Sequence, residues 1–136
     1  MSAWMDNVFA LRRLWRARDG VAALEAAFLL PTFMLFLLGI CEFGRVLWMQ
    51  SGLQYAVEAA ARCSVVYSAS TCNGTTATKT YAASQIFGPS IPTSTFSVSG
   101  SCTGTMTVTA SYAFTFIVPQ LFPWNLTLTA KSAYPC

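Results

Sequence analysis

The sequence predicts an α+β fold in which a long N-terminal transmembrane helix continues into a small ectodomain, built from a short helix and a three-stranded antiparallel β-meander. Three observations predict this fold. An apolar run of 21 residues, 21–41, is long enough to cross a membrane as a helix. Apolar residues then recur with the spacing of an amphipathic helix. Toward the C terminus they alternate with polar residues, which is typical of half-buried strands.

The composition differs from that of an ordinary soluble domain. The 136 residues have room for one small domain, 54% of them are hydrophobic, 10% are charged, and the mean hydropathy is +0.51. Soluble domains carry about 25% charged residues. Most of the net charge of +3 belongs to residues 1–20, a basic leader with four arginines: Arg12, Arg13, Arg16 and Arg18. The remaining cations are too few to bind a nucleic-acid backbone, so no nucleic-acid partner is predicted.

The apolar run 21–41 is predicted to be a membrane anchor. At 1.5 Å per residue it covers the roughly 30 Å of a bilayer's hydrocarbon core. The arginines before it place residues 1–20 in the cytoplasm and residues 42–136 outside, by the positive-inside rule. Glu25 is the one charge within the run, and its cost in lipid indicates a functional role. Pro31, in the same run, is expected to bend the helix.

Three other interpretations of this segment remain open. A secretory signal peptide also has a basic start and an apolar centre, but residues 39–41 do not have the small-residue pattern of its cleavage site. A lipoprotein signal would need a small residue at Ile40, before Cys41. An uncleaved single-pass anchor, with Glu25 near the membrane interface where a charge costs little, is the simplest of the three.

Three segments carry a more specific signal: 19–31 (DGVAALEAAFLLP), 39–45 (GICEFGR) and 59–62 (AAAR). Together they resemble the TadE-like family, which are minor pilins or pseudopilins of the tight-adherence (Tad) pilus systems of bacteria. TadF-like proteins and the anchors of larger TadG-like proteins share this helix. The resemblance therefore indicates the family and does not choose among its members.

The resemblance implies that the chain is a type IV pilin-like precursor. A prepilin peptidase would cut between Gly20 and Val21 on the cytoplasmic face, so that Glu25 becomes the fifth residue of the mature chain. Glu25 would then face the amino terminus of a neighbouring subunit, and the two charges would neutralise each other in lipid. Ala26 departs from the family pattern, because many relatives have a bulky residue after the glutamate.

The resemblance also implies the partners and the location. The partners are other pilin subunits, the pilus assembly machinery, prepilin peptidase and the lipid bilayer. The location is the bacterial inner membrane, with the N terminus cytoplasmic and the C-terminal domain periplasmic or extracellular, or the pilus itself.

Residues 42–67 are expected to continue the helix outside the membrane, and residues 68–136 to form a small β-rich domain. One face of the continued helix carries apolar residues at helical spacing: Val46, Met49, Leu53, Val57 and Ala60. A short helix is predicted over 76–87, ended by Gly88 and Pro89. Apolar residues then alternate with polar ones along three stretches that predict the strands: 96–102, 106–118 and 126–134.

Four of the five cysteines lie beyond the predicted membrane span: Cys63, Cys72, Cys102 and Cys136. Disulfides persist outside the cytoplasm, but four cysteines allow three pairings. We favour Cys63–Cys72, which are close in sequence, and Cys102–Cys136, which would meet at one end of the meander. Cys41 is expected to be a free core thiol. A chain without histidine, and without cysteines two to four residues apart, predicts no metal site.

The residue inventory argues against catalysis and cofactor binding. The commonest general base, histidine, is absent from the sequence, and Glu58 is the one acid beyond the flank of the predicted span. No glycine-rich phosphate loop is present. We expect a non-enzymatic pilin-like structural subunit of a Tad-type pilus, acting in pilus biogenesis or adherence. The alternative is a permanently anchored single-pass protein that displays a small binding domain and is not processed.

Overall fold

The computed structural model describes residues 19–100, 103–120 and 122–136. Its elements are helix α1 (Asp19–Val66), helix α2 (Gly74–Ser84), a 3-10 turn (Thr93–Thr95), and strands β1 (Phe96–Ser99), β2 (Thr105–Phe114) and β3 (Leu126–Pro135). This order confirms the predicted α+β fold class. The chain divides between Cys41 and Glu42 into two compact units.

The described part of the first unit is the N-terminal portion of α1. Every side chain from Val21 to Leu38 is exposed, although nearly all of them are apolar. Among the described residues, α1 is the one helix long and apolar enough to cross a membrane. Pro31 lies inside this helix, where it removes one backbone donor. The hydroxyl of Thr32 donates to the carbonyl of Phe28 at 3.2 Å, a side-chain bond common in apolar helices.

The second unit is built around the remaining part of α1, which contributes one wide face to a hydrophobic core. Buried residues of this face follow helical spacing: Met49, Leu53, Ala56, Val57, Ala60 and Ala61. The predicted apolar face is therefore confirmed, with Val46 packed at its edge. Leu53 and Phe96, from α1 and β1, are both fully buried in this core. Burying a side chain of this size contributes about 1.5–3 kcal/mol.

The sheet is an antiparallel meander in the order β1-β2-β3, as predicted. Phe96 pairs with Ala110, and Phe114 pairs with Leu126. Strand β1 is shorter than the predicted stretch 96–102, because the chain turns at Gly100 with a φ of +107°. A Cβ there would collide with the backbone of Thr105, so this position requires glycine.

Strand β2 also ends before the predicted residue, at Phe114 and not at Val118. The alternation of apolar residues continues to Val118, but the ladder of partners on β3 begins at Leu126, opposite Phe114. The N–H of Ile117 instead donates to the side chain of Glu42. A tertiary hydrogen bond therefore replaces a sheet bond at this point.

Helix α2 is shifted toward the N terminus relative to the predicted range 76–87. Thr78 is buried, and its hydroxyl donates to the carbonyl of Gly74 at 2.9 Å in the first turn. The helix ends at Ser84, and the N–H of the next residue, Gln85, donates to the carbonyl of Ala82 at 3.2 Å. This bond tightens the last turn. Ile86, beyond this end, packs against the core.

Candidate functional site

The predicted cleavage position lies in the first turns of α1. Gly20 and Val21 are both exposed, and a Cβ built on Gly20 would meet no atom within 4 Å. Packing within the described residues therefore does not require glycine at position 20. Cleavage itself stays a prediction.

Glu25 lies on α1 among exposed apolar side chains. Its own side chain is exposed, and no hydrogen bond or ion pair reaches it from the residues that the structure describes. A carboxylate in such a segment needs a partner if the segment lies in lipid. The charge of Glu25 thus remains available to a group outside these residues, and its assembly role, like that of Pro31, stays a prediction.

Glu42 is a buried carboxylate at the start of the second unit, and it binds two groups at once. Its side chain is 4% exposed. Oε1 accepts the backbone N–H of Ile117 at 2.7 Å, and Oε2 accepts Nη1 of Arg45 at 2.7 Å. A buried carboxylate is tolerated when it is paired and hydrogen-bonded in this way. Glu42 therefore joins α1 to the segment that follows β2.

Arg45 contributes more than charge to this arrangement. Its guanidinium carbon lies 5.2 Å from the centre of the Phe114 ring, at the end of β2. A guanidinium over an aromatic face is attracted to the ring. Arg45 therefore contacts Glu42 and Phe114 together, and it packs the end of the sheet against the helix.

Sequence reasoning did not assign a role to Glu42 or Arg45. The GICEFGR segment contains both residues three apart, a spacing that allows a helical ion pair. This local signal could have indicated the pair. No local signal could have indicated Ile117, because it lies 75 residues further along the chain.

The cysteines are only partly described. Cys63 and Cys72 form a disulfide that joins the end of α1 to the loop before α2, the pairing favoured from sequence. Cys102 lies outside the described residues, so the Cys102–Cys136 pairing stays a prediction. The backbone N–H of Cys136 donates to the carbonyl of Gly104 at 3.0 Å. Cys41 is a free thiol but is exposed in the described part of the chain, so its expected core position was wrong.

An open cleft of about 420 Å³ lies beside the disulfide. Four of its nine lining residues are tyrosines: Tyr55, Tyr67, Tyr81 and Tyr134. Arg62 lies over the Tyr134 ring at 6.0 Å, and Glu58 accepts a hydrogen bond from Gln54 at 3.1 Å. Within the part of the chain that the structure describes, no group of three or more histidine, cysteine or acidic side chains is arranged to hold a metal. The cleft can therefore offer aromatic faces and two opposite charges to a ligand.

These observations define a class of protein in which a helix of bilayer length is followed by a small disulfide-bonded α+β domain. Residues 20–62 match the family model described as TadE-like protein. The match covers just under a third of the chain, contains Gly20, Glu25 and Glu42, and confirms the resemblance over that range. No curated protein and no solved structure matches the chain.

Proposed function

We propose that this protein is a non-enzymatic, membrane-anchored, pilin-like subunit of a Tad-type pilus, made as a precursor and cut between Gly20 and Val21 by a prepilin peptidase. The match to the TadE-like family over residues 20–62 carries this proposal. The matched range begins at the glycine of the expected cleavage site. The protein acts in pilus biogenesis or adherence, together with other pilin subunits and the assembly machinery.

The exposed apolar surface of α1 supports the anchor. Eighteen consecutive residues, 21–38, are all exposed in the described structure. So extensive an apolar surface is stable only in lipid or against neighbouring helices. In the inner membrane, residues 21–41 span the bilayer and residues 42–136 lie on the outer side, because the arginines precede the span.

The charge of Glu25 favours a role in subunit assembly over a role as a plain membrane anchor. Its carboxylate finds no partner among the described residues, and an unpaired charge in lipid is unfavourable. The new amino terminus at Val21 of an adjacent subunit supplies the opposite charge. This pairing selects one stagger between subunits, because other staggers leave both charges unpaired.

The experiment is the intact mass of the full chain extracted from membranes, with and without the prepilin peptidase. We expect a chain that begins at Val21 only when the peptidase is present. Gly20→Val should abolish this processing. Gly39→Val is the matched control, because it adds the same side chain to the same helix at a position with equal space; it should be processed normally.

A leader retained in both strains would contradict the precursor role. The alternative function would then stand, namely a permanent single-pass anchor that displays a binding domain. The tyrosine-lined cleft of the second unit is the observation that favours it. Processing of Gly20→Val at the wild-type rate would contradict the assigned cleavage position.

A further inference from the structure

The segment between β2 and β3 is apolar where a surface loop is usually polar. Its described residues, 115–120 and 122–125, include no charged side chain. Ile117 is 66% exposed and Trp124 is 69% exposed. Clustered exposed apolar side chains mark an interaction surface more often than chance exposure does.

Aromatic packing holds this segment in place. The rings of Phe114 and Phe116 meet edge to face at 5.3 Å, and those of Phe116 and Phe122 stack at 5.0 Å. Trp124 continues the series, with its ring 6.3 Å from that of Phe122. Because Phe114 is buried in the core, the series connects exposed Trp124 to a fixed part of the domain.

The same segment is tied to the residue at which the chain leaves the apolar run. Glu42 directly follows Cys41, the last residue of that run, and its carboxylate is 2.7 Å from the backbone nitrogen of Ile117. The headgroup layer on each side of a bilayer is about 5–7 Å thick. If residues 21–41 span the hydrocarbon, Glu42 is the first residue outside it, and the backbone of Ile117 is bound directly to Glu42.

We propose that the segment between β2 and β3 docks on the outer surface of the same bilayer, with Ile117 and Trp124 inserted at the boundary between headgroups and acyl chains. This inference rests on the membrane anchor of the proposed function. Tryptophan is favoured at this depth, because its ring is apolar and its N–H is polar. The partner is the bilayer interface itself: an uncharged segment gains nothing from anionic headgroups, so binding is independent of lipid charge.

The proposed partner of this surface is lipid, and not a second copy of the chain, because the backbone of Ile117 is bound to Glu42, the residue that directly follows the apolar run. A partner on this surface would therefore have to approach the membrane face, where lipid already surrounds each isolated chain. Phe43, which is 64% exposed and follows Glu42, adds apolar surface at the same level.

The test is quenching of tryptophan fluorescence by brominated acyl chains. The full chain is reconstituted in phosphatidylcholine vesicles, with Trp4, Trp15 and Trp48 replaced by phenylalanine so that Trp124 alone emits. We expect weaker emission from Trp124 in brominated lipid than in the same lipid without bromine. Adding phosphatidylglycerol should leave this quenching unchanged.

Three further variants calibrate the result. Each carries a single new tryptophan in a chain in which Trp124 is also replaced by phenylalanine. Phe28→Trp lies in the apolar run and should be quenched. Tyr67→Trp should not be quenched, because about 36 Å of helix separates Glu42 from Val66. Ile117→Trp is a second probe of the docked segment and should be quenched. Each variant is used only if its urea-unfolding midpoint matches that of the parent.

Each outcome is decisive. Quenching of Phe28→Trp without quenching of either Trp124 or Ile117→Trp would overturn the docking and leave the anchor intact. Absence of quenching at Phe28→Trp would overturn the anchor and the docking together. A third outcome would assign the surface to a second copy and overturn the lipid proposal. In that case Trp124 is not quenched by bromine but is protected from acrylamide in the aqueous phase, and this protection is lost when the protein is diluted in excess lipid.

Discussion

The carboxylate of Glu42 accepts the backbone N–H of Ile117 at 2.7 Å, across 75 residues of sequence. The bond joins the beginning of the second unit to the segment that follows β2. The same carboxylate accepts Nη1 of Arg45. Loss of Glu42 would therefore remove the acceptor of a backbone donor and the partner of a cation together.

Glu42→Ala should lower the free energy of unfolding of the second unit by about 2 kcal/mol, the cost of leaving a donor without its charged acceptor. Glu42→Gln should cost less, because the amide oxygen can still accept from Ile117. Urea unfolding in detergent micelles, followed by near-ultraviolet circular dichroism, measures both. Glu58→Ala is the control, since Glu58 is exposed and such changes stay within about 0.5 kcal/mol. Equal stability of Glu42→Ala and Glu58→Ala would contradict the role assigned to the carboxylate.

The charge pair between Glu42 and Arg45 should be worth less than the hydrogen bond to Ile117. The Arg45 side chain is 43% exposed, so water screens the pair. A double-mutant cycle with Glu42→Gln and Arg45→Met should give a coupling energy below about 1 kcal/mol. A coupling energy well above that value would show that the ion pair is the dominant interaction of the site.

Reduction of the Cys63–Cys72 disulfide should destabilise the second unit moderately. The two cysteines are 9 residues apart, and closing so short a loop contributes about 2.5 kcal/mol in the chain-entropy model. Unfolding of Cys63→Ser/Cys72→Ser should show a loss of this size. Cys41→Ala is the matched control and should unfold like the parent, because Cys41 is free and exposed. An unchanged unfolding free energy in the double variant would contradict a stabilising role for the bond.

Two leucines of α1 should respond differently to truncation. Leu53 is fully buried and Leu29 is 61% exposed. Leu53→Ala should cost about 2–5 kcal/mol of unfolding free energy, since it leaves a cavity in the core. Leu29→Ala should leave the unfolding of the second unit unchanged. The prediction fails if the two substitutions have the same effect in micelle-bound protein.

Glu25→Ala should keep or improve membrane insertion while it reduces piliation. The substitution removes a charge that is unfavourable in lipid, and it also removes the proposed partner of a neighbour's amino terminus. Membrane fractionation and electron microscopy of pili measure the two effects. Glu58→Ala, which lies beyond the apolar run, should leave both unchanged. Normal pili in the Glu25→Ala strain would remove the assembly role from this residue.

The regular elements follow from local patterns in the sequence. The apolar run 21–41 and the helical spacing that ends at Ala60 predicted one long helix, and α1 extends from Asp19 to Val66. Alternation predicted three strands in the observed order. These predictions succeed because hydropathy and side-chain periodicity act within a few residues of each position.

The ends of the strands did not follow from those patterns. Alternation continues past Phe114 to Val118, but β2 stops where its partner strand begins to pair. At the other end, β1 stops at Ser99, ahead of the turn at Gly100. At the end of β2 the alternative hydrogen-bonding partner, Glu42, comes from a distant part of the chain. At Gly100 the space for a side chain is taken by the backbone of Thr105 on the next strand.

The sequence by itself determined the apolar helix, the position of Glu25 in it and the order of the meander, because each depends on neighbouring residues. Only the tertiary structure decided that Glu42 is buried and bound to Ile117, and that aromatic rings connect Phe114 to exposed Trp124. The physical reason is the same for both. A buried charge and an exposed aromatic residue are defined by which distant groups surround them, and the packed fold alone brings those groups together.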